Sequence, residues 1–571
     1  MRTTAFSNRP LAMRLLRSPT IAALLVSILA RPLAAQSFHG AVRDSASHEP
    51  IAGAVVMLLD SSGAVLGRNI TNEGGQYRVA YGRVARLMRV VRIGFLPREV
   101  RVGDSADPDR SIDVAMVPFS TTLAPVRIID KSICPQRSDQ ATAFALWEQA
   151  RAGLLNMVVA RETNPMSVRR LVFERTLEGN SDRITRFRVT GDSATNSETS
   201  FNAVYSARDF VASGFSVDSG GTRFMFAPDA DVLLDDAFAL GYCFRLVPSP
   251  KNRPRQIGLA FSPSDPHPGR MDIDGTLWID TAARALRDIE FRYIGTPPRW
   301  DEFHPGGSIS FHEMNNGAVF VDHWYLRRVD ATQTSVLDQR GTDFTTRTSM
   351  FATENGGELA HAVWPDGQAW NASLGSLRIQ TVTPSGQPAP GAEVLLPDTP
   401  YRGTADSSGT ITIRDLLPGP YSLRIRDSRM AELDISIPTR VSFVAARDST
   451  FRTTVKVSTA EEYVAGLCRK DRQWEANDST FILGRVVTPE GKPVDDVKVS
   501  FATKMQDGQW SWLRWFYRTG TDGVFELCGK LFNAGQKILI RVSRRGLTDV
   551  DVERTIATRL TIAKLQIEAR P

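Results

Sequence analysis

Gly40-Ala41-Val42-Arg43-Asp44, followed by Glu49-Pro50-Ile51-Ala52-Gly53-Ala54-Val55, opens a pattern that the chain repeats twice. A glycine-led strand enters a Pro/Gly-rich bend, and a second strand leaves it. A glycine-closed turn then follows at Thr71-Asn72-Glu73-Gly74-Gly75-Gln76-Tyr77. The second copy reads Thr383-Pro384-Ser385-Gly386-Gln387-Pro388-Ala389-Pro390-Gly391-Ala392-Glu393-Val394, with Asp406-Ser407-Ser408-Gly409-Thr410-Ile411 as its turn. The third reads Gly484-Arg485-Val486-Val487-Thr488-Pro489-Glu490-Gly491-Lys492-Pro493-Val494, with Thr519-Gly520-Thr521-Asp522-Gly523-Val524-Phe525. Self-similarity of this kind decides architecture before any single residue suggests chemistry. Short strands with turn signals between them predict β-sandwiches, here over residues 37–118, 374–457 and 481–571. Modules of this type more often display or bind than catalyse.

Between the first two copies, residues 126–370 read differently. A helix is predicted over 139–161, with Ser138 as N-cap and Phe144, Trp147, Leu154 and Val158 recurring near a 3.6-residue period. Such a stripe covers a sheet. After Pro165 the period becomes two. Residues 170–177 pair with 184–189, and 272–280 pair with 286–293; 308–313 and 318–324 flank Asn315-Asn316-Gly317, a strong hairpin signal. The expected assembly is a middle antiparallel sheet with one helix, one sheet face meeting water or a ligand. Residues 458–480 read as a polar linker with a short helix.

The repeated pattern Gly-x-Val, Pro-x-x-Gly-Ala-x-Val, then Gly-x-Tyr/Phe resembles the carboxypeptidase regulatory-like domain, a transthyretin-like or Ig-like β-sandwich. The first copy matches at Gly40, Pro50, Gly53, Ala54, Val55, Thr71, Gly75 and Tyr77. The second keeps Pro388, Gly391, Ala392, Val394, Asp406 and Gly409 but has Ile411 at the aromatic position. The third keeps Gly484, Pro493, Gly523 and Phe525, while Asp496 and Val497 replace the Gly-Ala pair. Domains of this family occur on TonB-dependent outer-membrane receptors, secreted peptidases and polysaccharide-related proteins. The middle region is similar to a bacterial exported family on its Pro228-Asp229-Ala230-Asp231-Val232-Leu233-Leu234 segment and its Cys243-Phe244 pair. Its hairpins resemble the half-barrels of lipoprotein carriers. The resemblance implies a mainly β chain of three sandwiches around a half-barrel-like middle sheet.

The N-terminus sets the expected compartment. Arg2, Arg9, Arg14 and Arg17 precede the apolar run Thr20–Ala30, and small residues follow at Ala34 and Ala35. Residues 1–35 therefore read as a secretory signal peptide, with a membrane anchor as the competing reading. Those residues hold five arginines and no acid, so their removal takes the net charge from +6 to +1. The basic balance that would invite a nucleic-acid partner leaves with them. No later apolar stretch reaches transmembrane length. The expected location is the periplasm, the outer membrane or the cell surface.

Four cysteines suit an exported chain. Of the three possible pairings, Cys134–Cys243 and Cys468–Cys528 keep each pair within or beside one unit; free buried thiols are the alternative.

A zinc carboxypeptidase needs His-x-x-Glu and a distant His, leaving one metal position open. None of His39, His48, His267, His304, His312, His323 and His361 has Glu three residues later, and there is no HExxH. No Gly-x-Ser-x-Gly elbow, P-loop or dinucleotide fingerprint occurs either. No metal or cofactor is expected. His304, His312, Glu313, Asp322 and His323 crowd around one hairpin, and solvent-facing sheet positions account for them. Asp229, Asp231, Asp235 and Asp236 lack the order of a calcium loop and read as a polar loop.

The best binding candidate is Trp510-Ser511-Trp512-Leu513-Arg514-Trp515-Phe516-Tyr517. If it is extended, Trp512, Arg514 and Phe516 face one way and Leu513, Trp515 and Tyr517 the other. One set fills a sandwich core and the other forms a platform for a sugar ring or a partner protein. The expectation is a non-catalytic envelope protein that binds a glycan or an envelope protein. A structural component of an outer-membrane assembly is the alternative, and a hydrolase acting on the middle sheet is the third reading.

Overall fold

The computed structural model describes residues 36–81, 84–102, 109–119, 137–195, 205–219, 222–337, 344–468, 480–528 and 531–569. The expected signal peptide and Cys134 lie outside them. Among the described residues, one compact unit takes 36–119, 148–163 and 313–319, and a second takes the remainder.

All three repeats fold as two-sheet sandwiches with the same strand order. In the first, Gln36–Asp44 pairs antiparallel with Gln76–Tyr81 and parallel with Asp109–Ser111 and Val114–Met116. The facing sheet runs Val65–Ile70, Val55–Leu59, Leu87–Val91, Arg98–Arg101. In the second, Gly375–Val382 lies between Thr410–Leu416 and Thr450–Lys456, opposite Arg402–Thr404, Glu393–Leu395, Gly419–Arg426 and Ile437–Ala445. In the third, Phe481–Val487 lies between Val524–Leu527 and Leu560–Gln566, opposite Trp510–Arg518, Lys498–Lys504, Lys537–Ser543 and Val550–Thr555. Alternate apolar residues of the facing sheets fill each core, as Val499, Phe501, Phe525, Ile538 and Ile540 do in the third.

Two backbone positions explain the repeated motif. The turn glycines Gly75, Gly409 and Gly523 have φ of 71°, 78° and 73°. A Cβ at each would fall 2.5, 2.6 and 2.5 Å from the carbonyl oxygen of Val42, Thr381 and Val486, so no side chain fits. At the bend, Gly53 and Gly391 have φ of 68° and 74°, and Asp496 in the third copy has φ of 51°. Aspartate is among the few side chains that enter this left-handed region at modest cost. The third copy thus keeps the bend although it has lost the glycine.

In the first unit, residues 148–163 supply two buried amides. Gln149 Nε2 donates to the Phe95 carbonyl at 3.0 Å, and its Oε1 accepts the Gly94 N–H at 2.6 Å. Asn156 Nδ2 donates to the Gly53 and Gly317 carbonyls at 2.6 and 3.0 Å, and its Oδ1 accepts the Val319 N–H at 2.9 Å.

In the second unit, one antiparallel sheet runs Ile184–Thr195, Ser167–Leu177, Phe344–Val363, Val319–Leu337, Gly306–Glu313, Ala285–Ile294, Asp272–Asp280, Gln256–Pro263, Tyr242–Val247. Ala285–Ile294 shows why: Ile289, Phe291 and Tyr293 are buried, and Glu290 and Arg292 between them are exposed. The second sandwich shares its core with one end of this sheet, where Leu171, Phe173, Phe187 and Val189 join Leu377, Leu423 and Phe443. Each fully buried side chain of this size contributes about 1.5–3 kcal/mol. At that end it is the apolar face of the sheet that the second sandwich covers.

The expectation of one helix in the middle region needs correcting. The long helix runs Arg137–Thr163, which places Ser138 inside it, and Ala207–Ser213, Ala230–Leu234 and Asp236–Gly241 are helical too. Trp147 packs against Phe238 and Phe244, with ring centroids 6.2 and 4.7 Å away. Cys468, at the end of the helix Ala460–Cys468, is bonded to Cys528. Cys243 is also disulfide-bonded; its expected partner Cys134 is outside the described residues.

Candidate binding face of the third sandwich

The strand Trp510–Arg518 is set by a tight turn. Gly508 has φ of 85°, its N–H donates to the Met505 carbonyl at 3.0 Å, and the Met505 N–H donates to Gln509 at 2.8 Å. The turn returns the chain antiparallel along Lys498–Lys504. Period-two alternation then sorts the aromatic residues. Leu513, Trp515 and Tyr517 turn inward and pack on the third core, with Phe501 6.0 Å from Trp515 and 6.3 Å from Tyr517. Arg514 is exposed, and Trp512 and Phe516 retain 37% and 47% of their accessible surface.

Neighbouring strands place cations against these rings. The Arg541 guanidinium lies 4.3 Å from the Trp512 ring centroid, and Lys498 Nζ lies 4.6 Å from that of Phe516. Lys504 Nζ lies 5.7 Å from Trp510, and Arg518 5.8 Å from Phe516. Contacts of this kind hold a ring in place at roughly 0.5–1 kcal/mol each when exposed. Arg541 also grips both oxygens of Asp551 at 2.7 and 2.6 Å. That bond keeps the guanidinium above its ordinary pKa and the carboxyl below its own. Arg518 pairs with Asp496 at 2.7 Å and Lys537 with Glu553 at 3.1 Å. Among the described residues, Lys498, Lys504 and Arg514 have no carboxylate within ion-pair distance.

Trp510–Arg518 is the edge strand of its sheet, but it is not open for strand addition along its length. Its pairing jumps from Ser500↔Phe516 to Ala502↔Trp512, so three residues bulge opposite Phe501, with Arg514 at the centre. A bulge and a central charge are the devices by which proteins blunt a sheet edge. The offered surface is therefore the outer face. In the other copies the equivalent edge strands are Val65–Ile70 and Arg402–Thr404, neither with an aromatic residue. The aromatic face belongs to the third copy alone.

The other candidates separate. His323 Nδ1 lies 2.7 Å from Glu358 Oε2, and His312 packs between Phe320 and Trp370 at 5.5 and 5.3 Å. Burial, aided by Arg287, holds the His312 pKa below its ordinary value. His304 caps a short 3₁₀ turn with φ of 51°, and Glu313 pairs with Arg92. The hairpin histidines thus have separate partners. Asp229 and Asp235, expected in a polar loop, instead cap helices, accepting the N–H groups of Val232 and Ala237 at 2.8 Å each. Among the described residues no group of three potential metal ligands converges.

On the middle sheet, Arg253 joins Asp288 at 2.7 Å and also pairs with Glu290. Ser310 donates to Asp288 at 2.9 Å, and Trp278 Nε1 donates to Glu290 at 3.1 Å. Both carboxylates are thereby occupied in internal bonds. Sequence reading missed Lys498, Lys504 and Arg541, because only the strand register brings them to the rings.

No family model matches the chain, and no curated protein matches it. Solved structures that align include 3-chlorocatechol 1,2-dioxygenase from Rhodococcus opacus 1CP, at 13% identity over 17% of this chain and 63% of that one, TM-score 0.14. The Bacillus anthracis TIE protein aligns at 11% identity over 62% of this chain and 64% of that one, TM-score 0.14. A shaft pilin SpaA variant from Lactobacillus rhamnosus GG aligns at 9% identity over 35% of this chain and 99% of that one, TM-score 0.14. The chain spans 56–63% of the length of the dioxygenases it aligns with first. At these TM-scores the likenesses carry no argument about this protein.

Proposed function

We propose that this chain is an exported, non-catalytic envelope protein built on carboxypeptidase regulatory-like sandwiches, and that it binds glycan on the outer face of the third. One observation carries the reading: Trp512 and Phe516 stand outward on a sheet whose other face is packed core, each with a cation against its ring. Rings so fixed lose little freedom when a sugar stacks on them. The signal-like N-terminus and the Cys468–Cys528 bond support export. Among the described residues, no helix is long and apolar enough to cross a membrane.

A glycan array probed with the full chain and with Trp512→Ala tests the proposal. Binding that disappears in the variant supports it. Binding unchanged by Trp512→Ala, or none to any glycan by the folded wild-type chain, overturns it.

A further inference from the structure

We infer that the ligand of this face is an acidic glycan, one carrying uronate, sulfate or phosphate groups. The inference rests on the glycan reading above and names its substrate class. Three charges decide it. Asp551, Glu553 and Asp496 are each matched by a cation, Arg541, Lys537 and Arg518. Lys498, Lys504 and Arg514 are left over, and all three flank the aromatic strand: Lys498 pairs in register with Arg518, Lys504 with Trp510, and Arg514 lies between Trp512 and Phe516.

A neutral sugar would use the rings and leave these three cations without an anionic partner. An acidic sugar uses both, its apolar ring face on Trp512 or Phe516 and its anionic group on the neighbouring ammonium or guanidinium. Same-face residues two apart on a strand stand roughly 6–7 Å from one another, the scale of one sugar residue. Arg514 therefore meets the substituent of a sugar seated on either neighbouring ring. The buried Ala502 stands directly across the strand pair from Trp512.

The test is calorimetric titration of the full chain with hexagalacturonate, with maltohexaose as the neutral control and hexaglutamate as the charged non-sugar control. The expected result is hexagalacturonate binding at least tenfold tighter than either control. It should weaken several-fold between 50 and 500 mM NaCl, because exposed charges are screened. Arg514→Ala and Lys498→Ala should each weaken hexagalacturonate three- to tenfold with unchanged melting temperature, and Trp512→Ala should abolish it. Equal binding of hexagalacturonate and maltohexaose, or no salt dependence, overturns the acidic class while leaving glycan binding intact. Hexaglutamate binding as tightly as hexagalacturonate, indifferent to Trp512→Ala, overturns it in favour of charge alone. Failure of both sugars to bind removes the glycan reading and this inference together.

Discussion

Arg447 closes on both carboxylate oxygens of the buried Glu358, at 2.9 and 2.7 Å, and so ties a loop of the second sandwich to the middle sheet. Burial alone would raise the Glu358 pKa, but bonds from His323 and Arg447 hold it below its ordinary value. A depressed carboxyl contributes stability above its unfolded pKa, which is lost as pH falls through the folded one. Arg447→Ala should cost about 1–3 kcal/mol, discounted because the arginine is partly exposed. Thermal denaturation at pH 7 checks this, and the deficit should shrink as pH falls from the ordinary glutamate range through the lower folded value, because the unfolded chain takes up the Glu358 proton first.

Asp322 next door behaves oppositely. Burial first, and the Glu358 charge second, push its carboxyl up to about 6, and its Oδ1 is buried without a hydrogen-bond partner. The folded chain then holds a proton that the unfolded chain has already released. Stability should fall as pH rises from about 4 to about 6, at roughly 1.4 kcal/mol per unit of pKa difference. Asp322→Asn should raise the Tm at pH 7.5 and flatten that slope. An unchanged melting curve across this range would reject the assignment.

Equivalent bends should respond unequally to one substitution. A Cβ on Gly53 would lie 2.3 Å from the Gly317 carbonyl oxygen, whereas on Gly391 its nearest neighbour is Ser428 Cβ at 3.9 Å. Gly391→Ala should cost only the backbone strain, about 1–2 kcal/mol. Gly53→Ala should cost clearly more, and Asp496→Gly should be nearly neutral. Chemical denaturation of the three variants ranks them.

Asn156→Ala strips partners from two buried carbonyls and one buried N–H. A loss of about 2–4 kcal/mol is expected from the unsatisfied groups, read as faster hydrogen exchange at Val319.

The two faces of the aromatic strand should separate in stability measurements. Trp515→Ala opens the third core and should cost about 3–5 kcal/mol, while Trp512→Ala should stay within about 1 kcal/mol of wild type. Equal losses would mean that Trp512 is a core residue.

The repeats, their turns and the inward–outward sorting at Trp510–Arg518 were legible in the sequence, because each follows from local backbone rules. Asp496 in place of glycine was not read as a preserved bend, since the substitution hides a shared conformation. The short helices escaped because five to seven residues are too few to show a period. Their caps were the available signal: Ser206 and Asp209 form a capping box, and Asp229 and Asp235 cap the two that follow. The link between Glu358 and Arg447, and the cations around Trp512 and Phe516, join residues distant in sequence. Only register and packing make them neighbours.

The parallel pairing of first and last strands has a mechanical consequence. In the second sandwich Gly375–Val382 runs beside Thr450–Lys456 through seven matched residues, and in the third Phe481–Val487 runs beside Leu560–Gln566 through seven. Parallel neighbours start at the same end, so the chain comes in at one end of each sandwich and goes out at the other. Tension applied through the backbone would load all the rungs of that pair sideways and together, instead of peeling them one by one. Each of these sandwiches is wired to carry a pull.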